Sequence, residues 1–463
     1  MKNLRRPRKD CAAGCAFAQK TPLFARLGRG ILFDRERMEV TPMFGRHRTD
    51  VIVAGAGPTG LLTALRLADL GVHVEVLEEE PRSAGHSYAL ALHPGSVALL
   101  DEVGLKQEAI AAGRRLTGLA IHEGTERRAT VPLGDAGTPA LALPQSALET
   151  LLADRLAKRG VKVHWSHRLA RLEPGMDGLT AVVHRLERDS TGYAVARSDW
   201  VIAKEIRFEA AYVIGADGHA SLVRRALDIP FEEVAPSQVF ACFECAPKGG
   251  ALEEIRLVFA EPEAGTVNAL WPLPGGRARW SLELDAPEVN ASERFKSRLV
   301  TQMGERFFHH LGERDVRRLV AARAPWFDFD PDTFGWSIEV RFERRLAASF
   351  GRDRVWLAGD AAHLTGPAGM QSMNAGLREG SELAAHVKAI LGDGASPDRL
   401  DAWGRERMAE WRFLLGLAGG LQPGAGAMPF IARNAARLLA CLPGTGPGLD
   451  ALATAVGLRA VRT

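Results

Sequence analysis

A chain of 463 residues, 46% apolar and 25% charged, can bury a large core and has room for two connected domains. Its net charge of +3 resides in residues 1–48, so the remainder is slightly acidic and ill suited to nucleic acid. Five cysteines give no disulfide framework and no metal-ligand spacing. Cys242 and Cys245 fall within an apolar run, VFACFEC, that reads as a strand, so reduced thiols and a cytoplasmic setting are expected, with no metal.

Residues 1–46 are Arg-rich, lack periodicity and show no secretory pattern. They are expected to be a disordered basic extension, or sequence upstream of a start at Met38 or Met43. The segment Val51–Glu80 then supplies a β-branched strand, G-x-G-x-x-G at Gly55, Gly57 and Gly60, an amphipathic helix, and a second strand ending at Glu78. Glycines there let the backbone turn and approach a pyrophosphate held at the helix N-terminus, and the carboxylate suits ribose hydroxyls. An adenine dinucleotide is expected.

A short helix over 96–103 is predicted to close at Gly104, and 116–143 reads as short strands and turns. Leu143–Gly160 reads as a helix turning Leu148, Leu151, Leu152 and Leu156 inward. Strands follow near 161–165, 169–185 and 196–210, then a buried strand, a Gly215-Ala216-Asp217-Gly218 turn and a helix. Residues 231–345 alternate as an antiparallel sheet with one covered face, interrupted by a helix at 291–311. A buried strand returns at Arg354, followed by a Gly/Pro loop and a helix over 375–391. The tail reads as helical. Its uncharged stretch Phe413–Ala432 is broken by Gly416, Gly419, Gly420, Pro423 and Pro429, so it suits packed helices or contact with a membrane surface rather than a span.

Three motifs in this order, VIVAGAGPTG, VIGADG and VWLAGDAAHLTGPAG, resemble the class A flavoprotein monooxygenases of the para-hydroxybenzoate hydroxylase type across residues 48–395. The resemblance implies an α/β fold. A Rossmann-like FAD-binding domain of the glutathione-reductase type would take 47–115, 143–230 and 346–395. An antiparallel-sheet substrate domain would take 116–142 and 231–345, with a C-terminal helical region over 396–463. It implies non-covalent FAD, with NADPH or NADH as a co-substrate that lacks its own nucleotide domain.

By motif, Gly55, Ala56, Gly57, Pro58, Thr59 and Gly60 would cradle the FAD pyrophosphate, and Glu78 the adenosine ribose. Gln145 would meet the FAD chain, Asp217 and Gly218 would serve FAD and NAD(P)H, and Gly359 and Asp360 a ribityl hydroxyl. Pro367 and the backbone N–H groups of Met373 and Asn374 would lie at the flavin edge. Gln145 and Asp217 could equally cap helices, and His363 is expected to orient backbone rather than perform acid–base work.

The sequence departs from the family pattern at Tyr88 and Gly95, where Arg is common. It departs again at Gly369-Met370-Gln371-Ser372, in place of Gly-Gly-Gln-Gly, and at Glu379, in place of Asp. Ser372 is expected to occupy right-handed backbone. The implied reaction is hydroxylation or epoxidation of an aromatic, phenolic or similarly electron-rich molecule by NAD(P)H and O2 through a flavin C4a-hydroperoxide. Arg256, Trp271 and Arg279 are candidate substrate contacts. A halogenase or prenyl-chain reductase on the same fold is the alternative, although the halogenase W-x-W-x-I-P is absent. A non-enzymatic escort protein is a third reading, opposed by the intact nucleotide motif.

Overall fold

The computed structural model describes residues 47–82, 89–175, 177–191, 197–250, 252–260, 265–285, 300–303, 306–309, 312–335 and 337–463. The basic extension and Tyr88 lie outside them.

The first strand, His47–Ala54, ends in the fully buried Val51-Ile52-Val53. It pairs in parallel with Val74–Leu77 on one side and Arg197–Gly215 on the other. Val163–His164 and Val355–Leu357 extend the parallel set at its two ends. Apolar residues on consecutive positions suit strands covered on both faces. The helix Pro58–Asp69 covers one face, opening with Pro58 at its first turn, where a missing N–H costs nothing. The first half of Arg197–Gly215 leaves this layer and pairs antiparallel with Leu179–Thr191.

The second sheet runs, in spatial order, Ser337–Ala347, Phe231–Pro247, Ala278–Leu284, Val267–Pro272, Glu254–Phe259, Gly118–Glu123 and Glu126–Pro132. Strand periodicity divides its side chains. Ile255, Leu257, Phe259, Ala269 and Trp271 join the core of the nucleotide domain. Val258, Leu270, Phe243, Trp280 and Leu282 face the other way and are covered by the helix Glu313–Arg323 through Val316, Leu319 and Val320. Cys242 and Cys245, three apart on one strand, project to opposite faces and cannot share a metal.

The expected helix at 291–311 is corrected. Val300–Met303 and Arg306–His309 form a two-stranded hairpin, while 291–299 lie outside the described residues. β-branched and aromatic residues favour that pairing. A helix follows at Glu313–Arg323, with Glu313 and Asp315 in its first turn, where the positive dipole end favours carboxylates.

The tail is not wholly helical either. Beside the helices Asp398–Leu414, Pro429–Arg433, Ala435–Leu439 and Gly446–Ala455, Gly420–Pro423 pairs with Leu458–Val461. Its uncharged stretch is used internally: Leu421, Phe430 and Ile431 are buried, and Phe430 meets Phe259 edge-on at 5.5 Å. No helix among the described residues is long and apolar enough to cross a membrane.

The two halves of the nucleotide domain meet where Pro58–Asp69 crosses the helix Gln371–Asp393. A Cβ on Gly376 would lie 2.6 Å from Thr59 Oγ1, and one on Gly380 would lie 2.1 Å from Thr63 Oγ1 and 3.2 Å from the Thr59 carbonyl. Thr63 Oγ1 donates to that carbonyl at 2.7 Å and cannot swing away freely. Gly380→Ala is therefore expected to destabilise by about 1–3 kcal/mol through overpacking. Thermal melting should show it, with flavin content (absorbance at 450 nm against 280 nm) falling in parallel.

Candidate functional site

The glycine motif is dictated by close approach. Gly55 has φ +102°, and a Cβ there would lie 2.2 Å from the Ala216 carbonyl, so the turns after two neighbouring strands touch. A Cβ on Gly60 would lie 2.0 Å from the Gly55 carbonyl. At Gly57 a Cβ would meet nothing within 4 Å, so the middle glycine faces open space. The helix that starts there has no side-chain cap and no acidic residue in its first turn. Its unpaired N–H groups and dipole suit an anion as large as a pyrophosphate.

Glu78 closes this loop from below. Its Oε2 accepts from the Ala56 N–H at 2.6 Å and its Oε1 from the Glu80 N–H at 2.9 Å. Burial pushes its carboxyl up, against the hydrogen bonds from Ala56 and Glu80. Gln145 opens the helix Gln145–Lys158, and its Nε2 donates to Glu149 Oε1 at 2.7 Å. Glu149 is 2% exposed, and its Oε2 has no hydrogen-bond partner. Burial, helped by the charge of Glu78 and opposed by the Gln145 hydrogen bond, pushes Glu149 up to about 7.

Asp217 adopts the capping role. Its Oδ2 accepts from the Leu222 and Val223 N–H groups at 2.7 and 3.0 Å, and its Oδ1 from Ser221 Oγ at 2.5 Å. The carboxylate is thus committed to the helix Leu222–Ala226, while the adjoining Gly218, at φ +73°, faces open space.

The second cofactor loop hangs from buried polar groups. Gly359, at φ +62°, faces Thr59, so the strand-end turn packs against the first helix. Its N–H donates to Glu379 Oε2 at 2.9 Å, and His363 Nε2 donates to the same oxygen at 2.8 Å. Trp411 Nε1 donates to Glu379 Oε1 at 2.7 Å, and its ring stacks on His363 at 3.6 Å. Burial pushes Glu379 up, but His363 and the three donors outweigh it and hold the carboxyl below its usual range. Asp360, by contrast, is exposed at the mouth of the loop and accepts from Ser372 Oγ at 2.7 Å.

Met370 takes the left-handed conformation, φ 51°, and caps the helix Gln371–Asp393. Ser372 lies within that helix in right-handed geometry, as the sequence suggests. Helix geometry leaves the N–H groups of Gln371, Ser372 and Met373 without intrahelical acceptors and draws that of Asn374 into the ladder. The Asn374 side chain is fully engaged. Oδ1 accepts from His93 N at 2.8 Å and Ser96 Oγ at 2.7 Å, and Nδ2 donates to the Ala91 and Met370 carbonyls at 3.0 and 2.7 Å. His93 Nε2 donates to the Gly369 carbonyl at 2.9 Å, and burial lowers this imidazole to about 4, keeping it neutral. Next to Pro367, a Cβ on Gly366 would lie 2.9 Å from Gln238 Oε1, which brings the Gly/Pro loop against the antiparallel sheet. Gly95 has open space around its Cβ position.

The three proposed substrate contacts do not converge. Arg256 lies on the sheet face turned away from the nucleotide domain, over Trp326 at 4.7 Å and beside a cavity of about 460 Å³ lined by none of the cofactor loops. Trp271 faces the nucleotide domain and is fully buried. Arg279 pairs with Glu244. Sequence reasoning passed over Glu149, Thr63, His93 and Trp411. An i,i+4 spacing from Gln145 could have marked Glu149, whereas Trp411 and His93 carry no local signal.

An α/β flavoprotein with a single dinucleotide motif fits these residues: an open cradle at Gly57, an uncapped helix, and an exposed carboxylate at Asp360. The sequence profile described as "FAD binding domain" matches residues 48–414. The chain therefore belongs to that family, the class A, para-hydroxybenzoate hydroxylase-like flavin-dependent monooxygenases.

Among its relatives, 12-dehydrotetracycline 5-monooxygenase/anhydrotetracycline 6-monooxygenase of Streptomyces rimosus is 31% identical over 78% of this chain. Rifampicin monooxygenase of Streptomyces venezuelae is 28% identical over 77% of this chain. The matches span 66% and 68% of those two proteins, so part of each relative has no counterpart in the alignment. The structure of p-nitrophenol 4-monooxygenase from Pseudomonas putida superimposes with a TM-score of 0.62 at 21% identity, covering 88% of this chain and 92% of that one, which shows the fold. Anhydrotetracycline hydroxylase from Streptomyces rimosus gives 0.56 at 26% identity, covering 86% and 70%.

Glu149 generates a pH prediction. A carboxyl raised from 4.5 to about 7 binds a proton in the folded state that the unfolded chain has released. Folding stability should therefore fall as pH rises from about 4.5 to 7, by at most about 3 kcal/mol. Glu149→Gln keeps an acceptor for Gln145 and cannot ionise. It should match the native protein at pH 5 and exceed it at pH 8 in urea denaturation.

Proposed function

We propose that the chain is a monooxygenase that consumes NAD(P)H and O2 and inserts one oxygen atom into an aromatic, phenolic or similarly electron-rich small molecule. The observation that carries this reading is the convergence of two uncapped helix N-termini, at Gly57 and at Met370, on one side of the crossing at Thr59. One would hold the pyrophosphate, together with Ala56, Pro58, Thr59 and Gly60. The other would present donors from Gln371, Ser372 and Met373 to the flavin edge, where reduction leaves negative charge. Glu78 would receive the ribose, Gln145 the chain between the phosphates and the ring, and Asp360 a ribityl hydroxyl. When bound, FAD supplies electron uptake from NAD(P)H and activation of O2.

The chain's own part is orientation and exclusion of water. The sheet face bearing Leu257, Ala269 and Trp271 is apolar and turns toward the nucleotide domain. Gln238 brings that sheet against Gly366, next to Pro367, so a substrate would lie between sheet and loop. An apolar roof of this kind keeps water from the reacting centre. The relatives' names, which include rifampicin, tetracycline intermediates and para-nitrophenol, support an aromatic substrate class.

With one dinucleotide fold, NAD(P)H must visit the same domain as FAD. Unregulated reduction would waste reductant as peroxide. NAD(P)H oxidation is thus expected to be slow alone and to rise at least about tenfold, some 1.4 kcal/mol in barrier, with the right substrate. The product should gain one oxygen from labelled O2. Label from water, or product formed anaerobically, would overturn this reading in favour of a reductase.

A further inference from the structure

Two departures from the family pattern, Ser372 and Glu379, lie on one continuous path of hydrogen bonds. Glu379 is 0% exposed and collects three donors: the Gly359 N–H, His363 Nε2 and Trp411 Nε1. A carboxylate removed from water in this way needs a counter-charge. His363, also 0% exposed, is that carboxylate's hydrogen-bonded neighbour at 2.8 Å. Its other nitrogen, Nδ1, faces Ser372 Oγ at 3.4 Å, and Ser372 Oγ gives its proton to Asp360 Oδ1 at 2.7 Å. With that proton committed to Asp360, the Ser372 oxygen faces His363 with its lone pairs. The contacts form a continuous path: Trp411, Gly359 and His363 all donate to Glu379, His363 also faces Ser372, and Ser372 donates to Asp360. A glycine at 372 would end it at His363.

We propose that Ser372 and His363 are positioning residues for Asp360, and that this relay, anchored on Trp411 in the helix Asp398–Leu414, holds the exposed carboxylate in the rotamer that receives FAD. The inference rests on the reading of Asp360 as a cofactor ligand. It goes beyond that reading by making affinity for FAD depend on a side chain 51 residues downstream of Asp360, in a different helix. Ser372 lies in the first turn of a long helix, so alanine there keeps the backbone and removes only the hydroxyl. Alanine at His363 or Glu379 would strand a buried charge and is unsuitable as a test.

The test is a double-mutant cycle on FAD affinity, read by quenching of flavin fluorescence when FAD is titrated into apo-protein. Asp360→Ala should raise the Kd for FAD about tenfold or more. Ser372→Ala should raise it about three- to tenfold in the native background, and less than twofold in the Asp360→Ala background. Ser372→Thr, which restores a hydroxyl, should recover most of the loss. Trp411→Phe keeps the stacked ring but deletes the donor, and should raise Kd about two- to threefold. If Asp360→Ala leaves Kd unchanged, the reading of the cofactor site fails. If Asp360→Ala weakens binding but Ser372→Ala does not, or weakens it equally in both backgrounds, the relay fails while the site stands.

Discussion

The constraint on which the rest depends is the distance between two helices. Pro58–Asp69 and Gln371–Asp393 approach so closely that Gly376 and Gly380 leave room only for the Thr59 and Thr63 hydroxyls. Ridges of larger side chains would hold such helices 8–10 Å apart. Because Thr59 meets Gly376 and Thr63 meets Gly380, the two helices run in the same direction where they touch and open on the same side of that contact. Each opening turn brings unpaired N–H groups and a positive dipole end. Two helix ends suited to anions follow from a packing decision made along the helices.

Charged side chains do a different job around them. Glu78 and Glu379 each hold a glycine-containing turn by accepting one of its backbone N–H groups. Asp217 does the same for a short helix. Burial makes ionisation costly for all three, and each is compensated by two or three donors. Their arrangement shapes the backbone and leaves it to present N–H groups outward. Asp360 differs: it accepts from Ser372 Oγ and faces solvent.

Local patterns made the first strand, its turn and its helix legible. Val51–Val53 followed by Gly55, Gly57 and Gly60 can fold in few ways, and apolar spacing marked the helix Gln145–Lys158. Signals with no sequence neighbour were unreadable. Trp411 reaches Glu379 across 32 positions, and Asn374 reaches Ala91 across 283. The helix expected over 291–311 is overturned at Val300–Met303 and Arg306–His309, because apolar periodicity over so few residues cannot separate a short hairpin from a helix. The three substrate candidates were chosen by residue type, and the alternation of strand faces sends Arg256 and Trp271 to opposite sides. Asp217 had two readings from sequence, and the short helix after it engages the carboxylate.

The clip between residues 89–96 and the loop at 369–374 has a consequence for synthesis. Its hydrogen bonds, His93 to Gly369, His93 and Ser96 to Asn374, and Asn374 to Ala91, join positions 276 to 283 apart in the chain. Such contacts pay their loop-closure entropy late and slow folding. A nascent chain on the ribosome can form the first strand and helix early, yet the cradle stays half built until the helix after Gln371 has emerged. For most of translation the apolar parallel strands therefore lack their partner Val355–Leu357 from the C-terminal third. The cell must keep that unfinished surface from aggregating before any flavin can bind.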